Sequence, residues 1–472
     1  MPTTPTIFWF RRDLRLADNP ALLAAVAAGS GDVVAAFVID PALAEPAGPA
    51  RVGFLRRTLE SLDADLGGRL CTRAGDPAEE LLALALACGA RSVFATGDYG
   101  PRGRQRDERV ARALALRGVE LRLIDSPYVV APGTVVTKSG TPCRIFSAFR
   151  RGWENEPVPE PLDAPVGVRW HPGDSVGLEA LTRLAGSRRP WYFDSTEELP
   201  TLLFAAGEKV ATRQLDDYVT RVDDYERNRD VPGSAGTSRL SPHLRFGSLH
   251  PRQVLHVLGG ETLGRTAYRS ELCWRDFYAD VLWRHPESVR AILQSSLEHL
   301  RVDTDARAVT RFRRWTRGET GYPLVDAGMR QLLAEGWMHN RVRMVAASFL
   351  VKHLHLDWRW GARWFMWRLI DGDVASNQHG WQWTAGTGTD AAPFHRIFNP
   401  TRQGERFDAA GTYVQRYVRE LATTPAPQCL QPGGGLAGAA AGYARPVVDV
   451  AVERTEALVR FAEARDEARV GP

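Results

Sequence analysis

Residues 7–39 read IFWFRRDLRLADNPALLAAVAAGSGDVVAAFVI, and the order of patterns in this stretch decides the fold class of the N-terminal part. Ile7–Phe10 is a short apolar run that ends in a turn. Asp18 or Asn19 is placed to cap a helix over Pro20–Ala28, with proline in the first turn, where its missing N–H has no partner to lose. Val33–Ile39 is apolar and β-branched, as suits a buried strand. Strand, helix, strand is the repeating unit of a parallel sheet with flanking helices.

The alternation continues. Val52–Leu66, Pro77–Ala87 and Glu108–Leu116 read as helices, and Arg69–Arg73, Ser92–Ala95 and Glu120–Ile124 as short strands. An α/β, Rossmann-like parallel-sheet domain is therefore expected over 1–130. A connector follows over 131–200, rich in Pro, Gly and acidic residues from Trp153 to Leu199. Beyond Leu202 helical patterns dominate: Lys209–Arg227, Pro251–Leu258, Thr266–Arg284, Pro323–Glu335, Asn340–His353 and Trp358–Asp371. The expected C-terminal domain, 201–472, is all-α. Gln431–Gly442 is Gly- and Ala-rich, and a helix over Asp449–Ala468 closes the chain.

Composition narrows the function classes. The chain has 472 residues, more than the ~100–200 of one domain. No apolar run approaches the roughly 20 residues of a membrane span, and Met1–Phe10 carries no signal-peptide pattern, so a cytoplasmic location is expected. The five cysteines are scattered, with no Cys-x-x-Cys pair, which supports neither a disulfide framework nor a zinc site. A net charge of +4 is too small to argue nucleic-acid binding by itself. Most of the 14 tryptophans, however, fall late in the chain beside Arg341, Arg343, Arg359, Arg363, Arg368 and Arg396.

Four stretches carry chemistry. In Asp371–Trp383, DGDVASNQHGWQW, a helix would put Asp373, Asn377 and Trp381 on one face. Carboxylate, amide and indole in line suit a heteroaromatic ligand, and equally a buried polar network beside a core tryptophan. Glu271, Trp274 and Arg275 also share a helical face. They suit a nucleobase, although a surface ion pair over a packed tryptophan is the simpler account of that motif alone. Asn340 and Met344 stand one turn apart; they can form a pocket wall, or Asn340 can simply cap a helix. Gly236-Thr237-Ser238-Arg239-Leu240-Ser241 sets hydroxyls and an arginine before a helix, a phosphate-type arrangement or ordinary capping. Trp360, Trp364 and Trp367 recur at helical spacing, which core packing explains.

Taken together, these stretches resemble the photolyase/cryptochrome flavoproteins, and within them the class I enzymes for cyclobutane pyrimidine dimers. The resemblance rests on Trp9–Leu22, Gly236–Val254, Ser270–Pro286, Thr320–Leu332, Gly336–Lys352 and Asp371–Pro400, in that order along the chain. It implies an N-terminal antenna domain and a C-terminal all-α FAD-binding domain. It further implies light-driven electron transfer from reduced FAD to a dimer flipped out of UV-damaged DNA, by a monomer without an obligate protein partner. The runner-up is a cryptochrome-type blue-light receptor without repair activity.

Carried over by position, the FAD residues are Tyr225, Thr237, Ser238, Arg239, Leu240, Ser241, Arg343, Asp371, Asp373 and Asn377. Asn377 should face flavin N5. Glu271, Trp274, Asn340, Met344, Asn377 and Trp383 should serve repair, with Arg275, Arg341, Arg396 and Arg406 on DNA. Trp381 and Trp358 match the inner and middle members of the photoreduction chain. The outer position falls near Asp305, where no tryptophan stands, so either Trp315 or Trp360 substitutes or photoreduction is impaired, with repair by already reduced flavin unaffected. Asn377, Asn340, Met344 and the short chain beyond Leu421 point to dimer repair. For the antenna, Tyr99-Gly-Pro-Arg102-Gly-Arg104 lacks the folate-type contacts, whereas Gly48–Leu55 resembles the 8-hydroxy-5-deazaflavin type, with Arg51 and Asp98 lining the site.

Overall fold

The structure, a computed structural model, describes residues 4–188, 204–391, 393 and 396–470. Contact density divides the chain into two compact units. One is Met1–Pro190 with Leu202–Asp223 and Ser238–Pro286; the other is Trp191–Thr201 with Asp224–Thr237 and Glu287–Pro472.

The first unit is built on strands β1 (Thr6–Phe10), β2 (Asp32–Ile39), β3 (Cys71–Ala74), β4 (Ser92–Ala95) and β5 (Glu120–Leu123), in spatial order β3-β2-β1-β4-β5. All pairs are parallel, and a two-residue strand, β6 (Arg169–Trp170), adds to β2. Every residue of β1 and β2 is buried, which explains their unbroken apolar runs: helices cover both faces of a parallel sheet. The Pro20–Ala28 helix starts as its sequence dictates, with the Asn19 side chain accepting from Leu22 N at 3.1 Å. The Pro101–Ala115 helix begins seven residues before the expected Glu108, because Pro101 supplies its first turn.

Buried polar contacts fix helices of the 204–286 stretch to this sheet. Arg15 is 2 % exposed and donates to the Asp18 and Gly247 carbonyls. Arg252 pairs with Asp18 at 2.8 Å and with Asp125 at 3.2 Å. Glu208 accepts from Leu16 N and Ala17 N at 2.7 and 2.9 Å. Gly247 has φ +71°, and a Cβ there would overlap the Arg12 carbonyl, so only glycine allows the approach. The expected Lys209–Arg227 helix is not continuous. It runs Glu208–Val219, turns through a 3₁₀ segment at Val222–Asp224 and resumes as Tyr225–Asn228. Asp223 is held there by Thr262 Oγ1 (2.6 Å) and Arg265 Nε (2.8 Å), which draws the chain out of the helix.

The second unit is helical among the described residues. Ala306–Arg317, Pro323–Glu335, Asn340–Lys352, Trp358–Arg368 and Val374–Ala385 enclose a core that includes Phe312, Trp315, Val345, Phe349, Phe365 and Trp381. The Ala306–Arg317 helix has no counterpart in the sequence reading. Asp305 caps it, accepting from Ala308 N at 2.8 Å. No helix among the described residues is long and apolar enough to cross a membrane.

Candidate functional site

The Asp371–Trp383 stretch is helical only from Val374, with Asp373 as its N-cap, accepting from Ser376 N at 3.1 Å. Asp373 is therefore engaged as a cap rather than presented on the helix face. Asp371 lies before the helix, its side chain 3 % exposed, and receives Arg343 Nη2 at 2.8 Å. Arg343 Nε donates to the Met338 carbonyl at 2.8 Å, which orients the guanidinium. One turn into the helix, Asn377 Nδ2 donates to the Ala362 carbonyl at 3.0 Å and to Gln378 Oε1 at 2.8 Å. Both amide hydrogens are thus committed within the protein, and Oδ1 is left to accept.

Trp381 lies one turn further on, 2 % exposed. A Cβ at Gly361 would stand 2.0 Å from its ring, so the neighbouring helix is cut away to seat the indole. Phe365 and Trp315 meet the ring edge-on at 5.0 and 6.1 Å. Trp315 is fully buried and donates to the Ala346 carbonyl; its ring contact continues to Phe312 at 5.8 Å and from there to Trp360 at 5.3 Å. Trp358 is buried but has no ring contact with Trp381 among the described residues, and the indole N–H groups of both find no acceptor there. Trp315 therefore stands next to Trp381, and the half-buried Trp360 lies nearer the surface.

Elsewhere in this unit Asn340 is exposed on the first turn of its helix, and the N-cap is His339, not Asn340. Met344 follows one turn later, half-buried. Arg341, expected on DNA, is held by Asp230 in a two-point pair of 3.1 and 2.7 Å and lies over Phe407. Arg396 and Arg406 are exposed, and Arg396 sits 5.9 Å from the half-buried Trp383 ring. Tyr225 is buried beneath Arg229, and Thr237 is half-buried.

In the first unit, Ser238 Oγ bonds Tyr268 Oη at 2.7 Å and accepts from Leu240 N, while Gln214 Nε2 donates to the Ser238 carbonyl. Arg239 adopts φ +53°, a left-handed conformation that costs a non-glycine residue about 1 kcal/mol or more. Its guanidinium stands over Phe204, and Leu240 and Ser241 lead into Ser241–Phe246. Burial, with the Glu271 charge added, pushes the Tyr268 hydroxyl up to about 12, so Glu271, Tyr268 and Ser238 form one electrostatic neighbourhood.

The Leu263–Arg284 helix carries Glu271 and Trp274, both half-buried. Phe146 stacks on Trp274 at 3.7 Å, a partner that no sequence signal indicated. Arg275, expected at phosphate, instead donates to the Pro127 and Leu244 carbonyls and lies 4.6 Å over Tyr128.

Of the two residues expected at the antenna, Asp98 lines a small crevice of the first unit. Between β1 and β4, where strand order reverses, a ligand is expected at the carboxyl ends. Arg11, Arg12, Thr96, Gly97, Asp98 and Pro127 line a cavity of only ≈ 10 Å³ there, and Arg51 is not among them. Asp98 receives Arg106 at 3.1 Å and Gly100 N at 3.2 Å. Burial would raise its carboxyl, but Arg106, Arg12 and Arg11 outweigh that and hold it below its ordinary range. Arg11 and Arg106 both cover the Trp9 ring. Within the second unit, the Asn377 acceptor and the Arg343–Asp371 pair fit the edge of a flavin ring in their hydrogen-bonding chemistry. Within the first unit, the Ser238 and Ser241 hydroxyls are of the type that suits phosphate.

Comparison with known proteins agrees. Residues 6–166 match the family model described as DNA photolyase, and residues 268–463 the FAD binding domain of DNA photolyase. The deoxyribodipyrimidine photo-lyase of Streptomyces griseus is 40% identical over 97% of this chain and 98% of its own length. That of Agrobacterium fabrum is 38% identical over 98% of both. A solved bacterial class III photolyase from Agrobacterium tumefaciens superposes with a TM-score of 0.89 at 36% identity, covering 99% of this chain and 98% of that one. The class I subclass expected from sequence is not that neighbour's.

Proposed function

The chain belongs to the photolyase/cryptochrome family, and from this premise we propose how its residues carry out light-driven repair of cyclobutane pyrimidine dimers in DNA. When bound, FAD supplies the one-electron chemistry: in its reduced, light-excited form it lends an electron to the dimer, whose two cyclobutane bonds break before the electron returns.

One observation carries the assignment of residues. Because both Asn377 amide hydrogens are held by Ala362 and Gln378, its carbonyl is fixed as an acceptor, the polarity that the N5–H of a reduced flavin ring requires. The Arg343–Asp371 pair provides a fixed charge couple for the ring edge. Ser238, Arg239, Leu240 and Ser241, with Tyr225 and Thr237, serve the phosphates and ribityl chain, and Asp373 holds the end of the Asn377 helix. Glu271 stabilises the dimer through hydrogen bonds as negative charge develops on its pyrimidines, an electrostatic role. Trp274 and Trp383 stack on the bases, Asn340 and Met344 form a wall, and Arg396 and Arg406 meet phosphates. Extrusion of the target base, a known habit of photolyases, is cheapest for a lesion that pairs poorly. During photoreduction electrons reach Trp381, the inner member, through Trp358 or Trp315.

UV-damaged DNA is the partner, met by a cytoplasmic monomer. For the antenna, 8-hydroxy-5-deazaflavin is the pigment that Gly48–Leu55 supports; the absorbance spectrum of the purified protein tests this. Repair itself is tested by illuminating the reduced protein with an oligonucleotide containing a thymine dimer. Thymine absorbance should return in the light and not in the dark. A flavin-loaded protein that restores none is a photoreceptor instead.

A further inference from the structure

We propose that Phe146 is a positioning residue for dimer recognition: by stacking on one face of Trp274 it leaves the indole a single face to offer to one base of the lesion. The inference rests on the repair reading above.

The two rings are 3.7 Å apart at 6°, in full parallel contact. Aromatic pairs left to themselves prefer offset or edge-on arrangements with centroids roughly 4.5–7 Å apart. A closer parallel stack therefore implies a frame that imposes it, and the frame is present. Phe146 opens the short Phe146–Trp153 helix, and Trp153 at its end donates from Nε1 to Asp276 Oδ2 at 2.9 Å. Asp276 lies two residues beyond Trp274 on the Leu263–Arg284 helix and also accepts from Val130 N at 3.0 Å. Phe149 and Phe146 both pack on Phe277. The short helix is thus attached at both ends to the helix that carries Trp274.

The remaining neighbours of the indole settle its free side. Phe277 meets it edge-on at 5.7 Å and 71°, and Tyr278 is tilted at 5.3 Å and 46°. No second ring among the described residues lies parallel to it, and Trp274 is half-buried rather than enclosed. A base arriving there completes a three-layer stack with Phe146 at the back. Because the indole is backed, it cannot tilt away from the base, so orientation is set before the lesion arrives. Undamaged duplex, whose bases stay stacked in the helix, gains nothing from this surface.

The experiment compares Phe146→Leu, Phe146→Tyr and Trp274→Ala, each loaded with FAD, using Kd for a dimer-containing and an undamaged oligonucleotide. Phe146→Leu should weaken dimer binding about tenfold and leave undamaged binding and the flavin-to-protein ratio unchanged. Phe146→Tyr, which keeps the ring, should restore wild-type affinity. The double variant Phe146→Leu/Trp274→Ala should be no worse than Trp274→Ala alone, because both act on one stack. Wild-type dimer affinity in Phe146→Leu, equal losses on both oligonucleotides, or additive losses in the double variant would overturn the proposal while leaving the repair reading intact. A Trp274→Ala protein that binds dimers normally would remove Trp274 from the repair site, and this inference with it.

Discussion

Asn377 on one helix donates its amide to the carbonyl of Ala362 on the preceding helix at 3.0 Å, so the atom that would face a flavin is oriented by the backbone of a neighbour. Asn377→Asp deletes both amide donors and sets a carboxylate against that carbonyl. Leaving a partly buried carbonyl without its donor costs roughly 1–3 kcal/mol. The variant should keep FAD, melt several degrees lower, and lose its reduced flavin faster in the dark. A reoxidation time course beside a melting curve checks this, and an unchanged reoxidation rate would remove Asn377 from contact with the ring.

Gly361 and Trp381 give a second, sharper test. A methyl group at 361 would stand 2.0 Å from the indole, well inside contact distance, and the ring is closed in by Phe365 and Trp315. The side chain must therefore shift or the helices must part. Gly361→Ala should cost about 1–3 kcal/mol as an overpacked core does. It should also slow photoreduction more than an equally destabilising substitution far from Trp381. Equal photoreduction rates in the two controls would show that the position of the indole is not critical.

How much of this was legible in the chain depends on distance along it. The Asn19–Pro20 helix start and the apolar β1 and β2 runs are local signals, and they hold nearly to the residue. The Ala306–Arg317 helix was legible but passed over: Asp305 caps it, Gly318 ends it, and inward Ala308, Phe312, Trp315 and Thr316 at i, i+4, i+7 and i+8 mark an amphipathic helix. Site residues could be chosen by type and spacing, but not their commitments. Arg341 is paired with Asp230, 111 residues earlier, and Arg275 donates to the carbonyls of Pro127 and Leu244. Phe146 lay in what read as a connector, since nothing periodic marks a residue whose partner is Trp274. The antenna reading rested on Gly48–Leu55 and on the missing folate-type contacts; the three arginines whose charges act on Asp98 could not be placed around it from the sequence.

The ring path from Trp381 makes a third prediction. Trp315 is its tryptophan neighbour at 6.1 Å, and Trp358 makes no ring contact with it among the described residues. Trp315→Phe keeps an aromatic ring in the core and removes the more easily oxidised indole. Photoreduction of the oxidised protein should fall by tenfold or more, whereas repair by protein reduced chemically beforehand should be unchanged. Trp358→Phe should have the smaller effect. The reverse ranking, read from flavin bleaching under blue light, would return the route to Trp358.

Asp276 ties stability to pH in the frame that holds Trp274. Burial pushes its carboxyl from an ordinary 3.8 to about 6, against the pull of Arg275 and the bonds from Trp153 and Val130. A raised carboxyl pKa means that the folded protein holds a proton which the unfolded chain has already released between those values. Its contribution is therefore fully present below about pH 4 and is lost as pH rises through about 6. The shift corresponds to roughly 3 kcal/mol. Asp276→Asn keeps an acceptor for the Trp153 indole and the Val130 amide but carries no charge. It should flatten the decline in stability between pH 4 and 6 and melt above wild type at pH 8. Urea midpoints at pH 4, 6 and 8 give the comparison. Parallel pH profiles for the two proteins would mean that Asp276 ionises like an exposed carboxyl.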